Sequence, residues 1–315
     1  MLREIVGQFP DFAEAQRDLA HALLLSGDYL EGWKQNRWRW QTSSLIGGER
    51  HQTVPEWTGQ TLTGKRILLW DEQGFGDAIQ FVRFVPWVAE SGAEVVLEVQ
   101  PELVKLFQTV NGVGKVIARG DALPQVDYQV SLLDLGDVFR TDNFAVPNEV
   151  PYLLVEPIAY DKARPRVGLS WAGNPNHDND RNRSVTFDLL RTWLDLDGID
   201  FFNLQFCGRA KEASEERRLQ SIPTKPDDFL ATAEFVASLD LVITIDSAMA
   251  HLAGALGKPV WVLLPYAPDW RWMLSREHSH WYPSAALFRQ STPGDWSAPI
   301  QKISEKLTNF CRKSA

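Results

Sequence analysis

Three stretches of the 315-residue chain combine turn-forming and polar residues in patterns that can bind or activate a ligand. The first is Trp70-Asp71-Glu72-Gln73-Gly74-Phe75-Gly76-Asp77, where Gly74 and Gly76 permit a tight turn and close backbone approach before a helix that begins near Asp77. A carboxylate at such a helix start is ionised and oriented, so it can take a proton from a hydroxyl. It can equally do no more than cap the helix. The same stretch partly fits a dinucleotide fingerprint, with Glu98 placed for a ribose hydroxyl. Ile79 occupies the third-glycine position, and its side chain obstructs the close helix–strand approach that nicotinamide-binding turns need.

The second stretch, GLSWAGNPNHDNDRNRSV (168–185), opens an apolar strand into a long polar loop. Ser170, Trp171, Arg181 and Arg183 can bind phosphate oxygens, the guanidinium fork matching their geometry. Asp178 and Asp180 form a superficial DxD for a divalent metal. The flanking arginines compete for these carboxylates, and Asn/Asp loops ordinarily make solvated turns, so no metal site is expected. His177 and His280 have no partner at ligand spacing. In the third stretch, DLVITIDSAMAHLAGALGKPVWVLLP (240–265), an apolar strand ends at Asp246. Ser247 can cap the following helix, and His251 lies four residues on, along one helical face near its positive end. That arrangement suits a diphosphate with a sugar or ribose hydroxyl beside it. Capping alone, with an internally satisfied histidine, explains the same spacing.

The elements that must position these residues follow from periodicity. Short β-branched runs alternate with helical ones: RILLWD (66–71), a helix over 77–90, EVVLEV (94–99), a helix near 102–109, KVIAR (115–119) and YQVSLLDL (128–135). After the Pro-containing stretch 147–165 the same order restarts. RVGLSWAG (166–173), a helix near 186–195, FFNLQFCG (201–208), a helix over 228–238, LVITID (241–246), a helix over 247–256 and VWVLLP (260–265) follow one another. Alternation of this kind predicts two α/β units, each a parallel sheet with crossover helices. Residues 43–64 read as a connector, and a closing helix over 297–311 can return across the junction between the units.

Residues 10–42 predict a helical hairpin broken at Gly27-Asp28. Its Pro10, Ala15, Leu19, Ala20, Gly27, Tyr29 and Trp33 resemble a tetratricopeptide repeat, a unit that cannot bury its apolar face alone. The hairpin therefore either packs on the next domain or ends an array, and an ordinary capping hairpin fits equally. Trp33, Trp38 and Trp40 can present a surface to a protein partner. Of the 13 tryptophans, Trp171 and Trp270 adjoin expected loops and are the ones expected to line a cleft.

Composition narrows the function classes. With Lys+Arg 32 against Asp+Glu 41, the formal charge of −9 disfavours nucleic acid as a partner. Cys207 and Cys311 form no metal or redox spacing, and no apolar run reaches the length of a membrane span or a secretory leader. A cytoplasmic protein with no transmembrane segment is the expectation.

Residues 60–312 resemble glycosyltransferase family nine, the lipopolysaccharide heptosyltransferase relatives, in the branch with an N-terminal tetratricopeptide repeat. The resemblance rests on the Gly76-Asp77 turn, GLSWAGNP, DSAMAHLAGALGKPVW, DWRW (269–272), WYPS (281–284) and GDW (294–296). It implies a GT-B fold: two Rossmann-like domains facing a cleft, at 60–155 (acceptor side) and 165–295 (nucleotide-sugar donor side). A tetratricopeptide-like hairpin at 1–45 precedes them and a closing helix at 296–315 follows. It further implies metal-independent, inverting transfer of a sugar from a nucleotide-diphospho-sugar to a saccharide or protein hydroxyl, with no cofactor. Asp77 matches the general base; Asp246, Ser247 and His251 match the donor-binding block; Ser170, Trp171 and Arg183 match the loop near the donor phosphates. Ala248 replaces the glycine that commonly follows the Asp-Ser/Thr pair, which leaves heptose and ADP open as donor components. The competing class is a non-catalytic scaffold that binds a protein through its hairpin; an epimerase of similar fold is a further nucleotide-sugar alternative.

Overall fold

The computed structural model describes residues 1–45, 48–142, 146–160, 164–206, 208–225 and 227–314, with side chains to 311. Cys207 lies outside them. The chain divides into two compact units, Met1–Asn148 with Asp269–Ser275, and Glu149–Pro268 with Arg276–Ala315.

Unit 1 opens with helices α1 (Leu2–Gln8), α2 (Ala13–Ser26) and α3 (Tyr29–Asn36). Gly27 stops α2 in a left-handed conformation, φ 92°, so that its N–H reaches the Leu24 carbonyl while the Asp28 N–H reaches Leu23. A Cβ on Gly32 would lie 2.7 Å from the Leu24 side chain, so glycine there lets α2 and α3 cross closely. The hairpin is not a separate domain. Trp33 is buried over Gly136, where a Cβ would meet the indole at 2.7 Å, and its Nε1 donates to the Thr141 carbonyl at 3.1 Å. The apolar face predicted to need repeats or a neighbour is thus covered by the domain that follows.

That domain contains β1 (Arg66–Trp70), α4 (Phe75–Phe81), α5 (Val85–Glu90), β2 (Glu94–Val99), a short turn of helix α6 (Val104–Phe107), β3 (Val113–Ala118), β4 (Tyr128–Ser131) and a further turn α7 (Leu135–Val138). The strands are parallel in the order β3-β2-β1-β4. The last apolar run is strand only to Ser131, because the Ser131 hydroxyl accepts the Leu133 N–H and turns the chain into helix. The connector is tied down: Trp57 donates to the Gln129 carbonyl, and Gln129 to the Pro55 carbonyl, each at 2.9 Å. Asp269–Ser275, within the span expected of the donor-side domain, belongs to unit 1. Trp270 is the reason. It packs edge-on against Trp33 (5.3 Å) and Tyr29 (6.3 Å) and is buried, so it does not line a cleft.

Unit 2 contains β5 (Arg166–Ser170), a helical turn α8 (Asp180–Arg183), β6 (Asp200–Asn203), β7 (Leu219–Ser221), α9 (Phe229–Ala237), β8 (Leu241–Ile245), α10 (Ala248–Ala255), β9 (Val260–Leu264), β10 (Ala285–Arg289) and α11 (Ser297–Ser314). Its parallel sheet runs β10-β9-β8-β5-β6-β7. The helix expected near 186–195 is two 3-10 turns, Phe187–Leu189 and Arg191–Asp195. Helix α11 stays with unit 2: Ile303 and Leu307 enter its core, and Ser304 accepts the Trp193 indole N–H at 2.8 Å.

Candidate functional site

In unit 2 the sheet order reverses between β5 and β8, adjacent parallel strands with Ser170 in register with Thr244. Open parallel sheets bind ligands beyond the carboxyl ends of such strands. The loop after β5 and the helix start after β8 are therefore neighbours. This brings together residues that are some seventy positions apart in sequence.

Ser247 caps α10, its Oγ accepting the Met249 N–H at 3.3 Å and lying 3.2 Å from the Thr244 hydroxyl. Asp246 is mostly buried at the strand tip. The loop after β5 is organised by Gln205, whose Oε1 accepts the N–H groups of Trp171 (2.9 Å) and Ala172 (2.8 Å). Its Nε2 donates to the Ala172 carbonyl at 2.8 Å. Ser170 donates to the same carboxamide oxygen at 3.4 Å. Farther along, the Gly173 N–H reaches Ser184 Oγ at 3.0 Å, and Ser184 donates to Asp180 at 2.9 Å. Arg183 lies over Gly173, where a Cβ would come within 2.6 Å of its guanidinium, and its Nε is 3.5 Å from Asp180. Arg183 thus lies against the loop that follows β5.

One expectation fails here. Trp171 is 0% exposed and packs on Phe187 with ring centroids 4.9 Å apart. It is a core residue, because the chain leaves β5 with this side chain directed into the apolar layer. The DxD pair also diverges: Asp178 is exposed while Asp180 is buried against Ser184 and Arg183. Among the described residues no cluster of three His, Cys, Asp or Glu side chains could hold a metal. His251 is 5% exposed and its Nδ1 lies 2.9 Å from the Tyr282 hydroxyl. Neither Tyr282 nor Gln205 was recognisable from local sequence, since each acts on residues about thirty positions away.

In unit 1 the loop after β1 meets its own chain. Asp71 accepts the Gln100 N–H at 2.8 Å and pairs with Arg119 at 2.5 Å. Glu72 accepts Arg39 at 2.7 Å and the Ser131 hydroxyl at 2.5 Å. Arg39, 2% exposed, also grips Asp134 at 2.8 Å. Burial alone would raise the Asp134 pKa, but the Arg39 charge outweighs it and holds the carboxyl below its ordinary value. Glu98, the ribose-binding candidate, is occupied by Arg50 (3.0 Å) and His51 (2.7 Å), which removes the dinucleotide alternative.

Asp77 is held at both oxygens. Oδ2 accepts the Gly74 N–H at 3.0 Å, and Oδ1 is ion-paired with Arg271 of the 269–275 segment. Arg271 in turn holds Gln80 (2.5 Å) and Asp269 (2.9 Å). The Asp77 side chain is 20% exposed. Gly74 has φ −81° and Gly76 is not among the positive-φ glycines, so the turn uses neither in a left-handed conformation. A Cβ on Gly74 would meet only Asp77, at an ordinary 3.5 Å.

No family model matches the chain. Protein FlbA of Caulobacter vibrioides is 29% identical over 340 residues, covering 96% of this chain, which spans 56% of that protein's length. Among solved structures, a family 9 glycosyl transferase from Veillonella parvula superposes with a TM-score of 0.57 at 10% identity, covering 82% of this chain and all of that one. The ADP-heptose lps heptosyltransferase II of E. coli gives 0.52 at 13% identity, with 79% and 99% covered. At these identities the likeness establishes the fold, which is that of family 9 glycosyltransferases.

Proposed function

We propose that the chain is a metal-independent, inverting glycosyltransferase that moves a sugar from a nucleotide-diphospho-sugar to a hydroxyl acceptor. The observation that carries this reading is the register of Ser170 with Thr244, which sets Arg183 and the capped start of α10 at one strand-order reversal. Arg183 and the α10 N-terminus together offer a preorganised positive field to a leaving diphosphate. Asp77 takes the acceptor proton, and single displacement at the anomeric carbon then inverts it. The α2–α3 pair is a repeat of tetratricopeptide type, and the enzyme works in the cytoplasm. No helix among the described residues is long and apolar enough to cross a membrane.

A second reading rests on the engagement of both Asp77 oxygens by Gly74 and Arg271. In it Asp77 is a structural cap, and the chain binds nucleotide sugars without transferring them. A thermal-shift panel of ADP-, UDP- and GDP-sugars tests the shared part: saturation at about 100 Kd should stabilise the chain by about 2.7 kcal/mol. With the donor so found, Asp77→Asn should lower transfer by about 10²- to 10⁴-fold while donor binding persists. Full turnover by that variant removes Asp77 as the base, donor binding by the unaltered chain without any transfer favours the second reading, and silence across the panel removes both.

A further inference from the structure

Unit 1 also has a strand-order reversal, between β1 and β4, and a crevice of about 250 Å³ opens beside it. Trp40 and Trp70 form one side, their rings 5.5 Å apart and tilted by 39°. Gln129 of β4 accepts the Trp70 indole N–H at 2.6 Å, Ser131 ends that strand, and Asp134 lies beyond it. The opposite side is the connector, at Arg50, Gln52 and Glu56.

This connector is a built wall. His51 adopts φ 63°, unusual for a residue with a Cβ, and is anchored by Glu98 at 2.7 Å. Arg50 donates to the Asp71 carbonyl at 2.6 Å and covers the Trp70 ring at 4.9 Å. Glu56 bridges to Gln129 through the backbone and pairs with Arg37 through its side chain. A wall fixed before a ligand arrives costs little ordering on binding.

The charges decide what fits. Arg39 neutralises Asp134, Arg37 neutralises Glu56, and Arg50 is matched by Asp71 and Glu98. An anionic group therefore meets no surplus positive charge. The crevice offers carboxylates, two carboxamides, a hydroxyl and indole surface, the mixture that holds a ring bearing several hydroxyls. Its volume is smaller than the roughly 300–1,000 Å³ of pockets for drug-sized ligands, which suits one ring and excludes a nucleotide.

We propose that this crevice binds a single neutral pyranose. As a ring of the acceptor, that assignment rests on the transferase reading; as a sugar site it does not. The test is saturation-transfer NMR on the full chain, with methyl glycosides of glucose, galactose, mannose and N-acetylglucosamine, and with glucuronic acid as the acidic comparator. At least one neutral glycoside should bind with a Kd of about 1 mM, more tightly than glucuronic acid. Gln52→Ala with Glu56→Ala should weaken that binding about tenfold, and Gln52→Trp, which fills the mouth, should abolish it at unchanged melting temperature. No neutral binding, tighter glucuronate binding, or binding indifferent to all three substitutions overturns the proposal. The measurement contains no nucleotide, so a silent donor panel with sugar binding intact sinks only the transferase reading, and the converse result sinks only the crevice.

Discussion

The junction after β1 in unit 1 and the junction after β8 in unit 2 are written alike, an apolar strand running into acidic and small residues and then a helix. They are held by different chemistry. After β1, Asp71, Glu72 and Asp77 are gripped by Arg119, Arg39 and Arg271, brought from far along the chain. After β8, the helix start rests on the Ser247 and Thr244 hydroxyls, and His251 on a phenol. The same strand–loop–helix pattern can thus end in an ion-pair lock or in a hydroxyl-capped helix start, and only the partners supplied by tertiary structure decide which.

The sharpest way to break this contrast is Arg39→Ala, which strands Glu72 and Asp134 as buried carboxylates. It should cost about 3–5 kcal/mol in denaturant unfolding, and a loss under about 1 kcal/mol would deny the lock its importance. Acid should act on the same point. The Asp134 pKa is depressed in the folded state, so its contribution is present above the unfolded carboxyl value and is lost as the pH falls through the folded one. Urea midpoints measured from pH 7 downward should accordingly drop below about pH 4, and Arg39→Ala should flatten that drop.

Gly254→Ala probes unit 2 instead. Its Cβ would overlap the Tyr282 ring, so a loss of about 1–3 kcal/mol is expected, together with a changed His251 imidazole resonance by NMR. Ser247→Ala should remove about 1 kcal/mol of capping and weaken donor binding. The mildest change is Gly74→Ala, expected to cost about 0.5 kcal/mol or less, since φ −81° suits alanine and the new methyl meets only ordinary contact. A large loss there would mean that the loop after β1 uses its glycines as closely as Gly254 is used.

The sequence announced the strands well because parallel strands buried on both faces read as unbroken apolar runs, as in RILLW and LVITI. Ser247 as a cap was legible for the same reason of locality. Two short or weakly patterned strands, LQS of β7 and AALFR of β10, gave no comparable signal. The larger omissions were all non-local. Gln205 stitching the turn after Ser170, Arg39 bridging Glu72 and Asp134, and Arg271 reaching Asp77 join residues from about 30 to nearly 200 positions apart, and no local period encodes them. Trp171 and Trp270 were misplaced because adjacency to a loop does not say which way an indole turns.

The excursion of Asp269–Ser275 into unit 1 has a bearing on biosynthesis. When the ribosome has delivered residue 148, Asp77 still lacks its guanidinium, and the rings of Tyr29 and Trp33 lack the indole that packs on them. At about 5–20 residues per second, the missing piece follows roughly 6–25 seconds later. Over that interval the nascent chain carries an open aromatic socket, and a fragment cut at the unit boundary would carry it permanently.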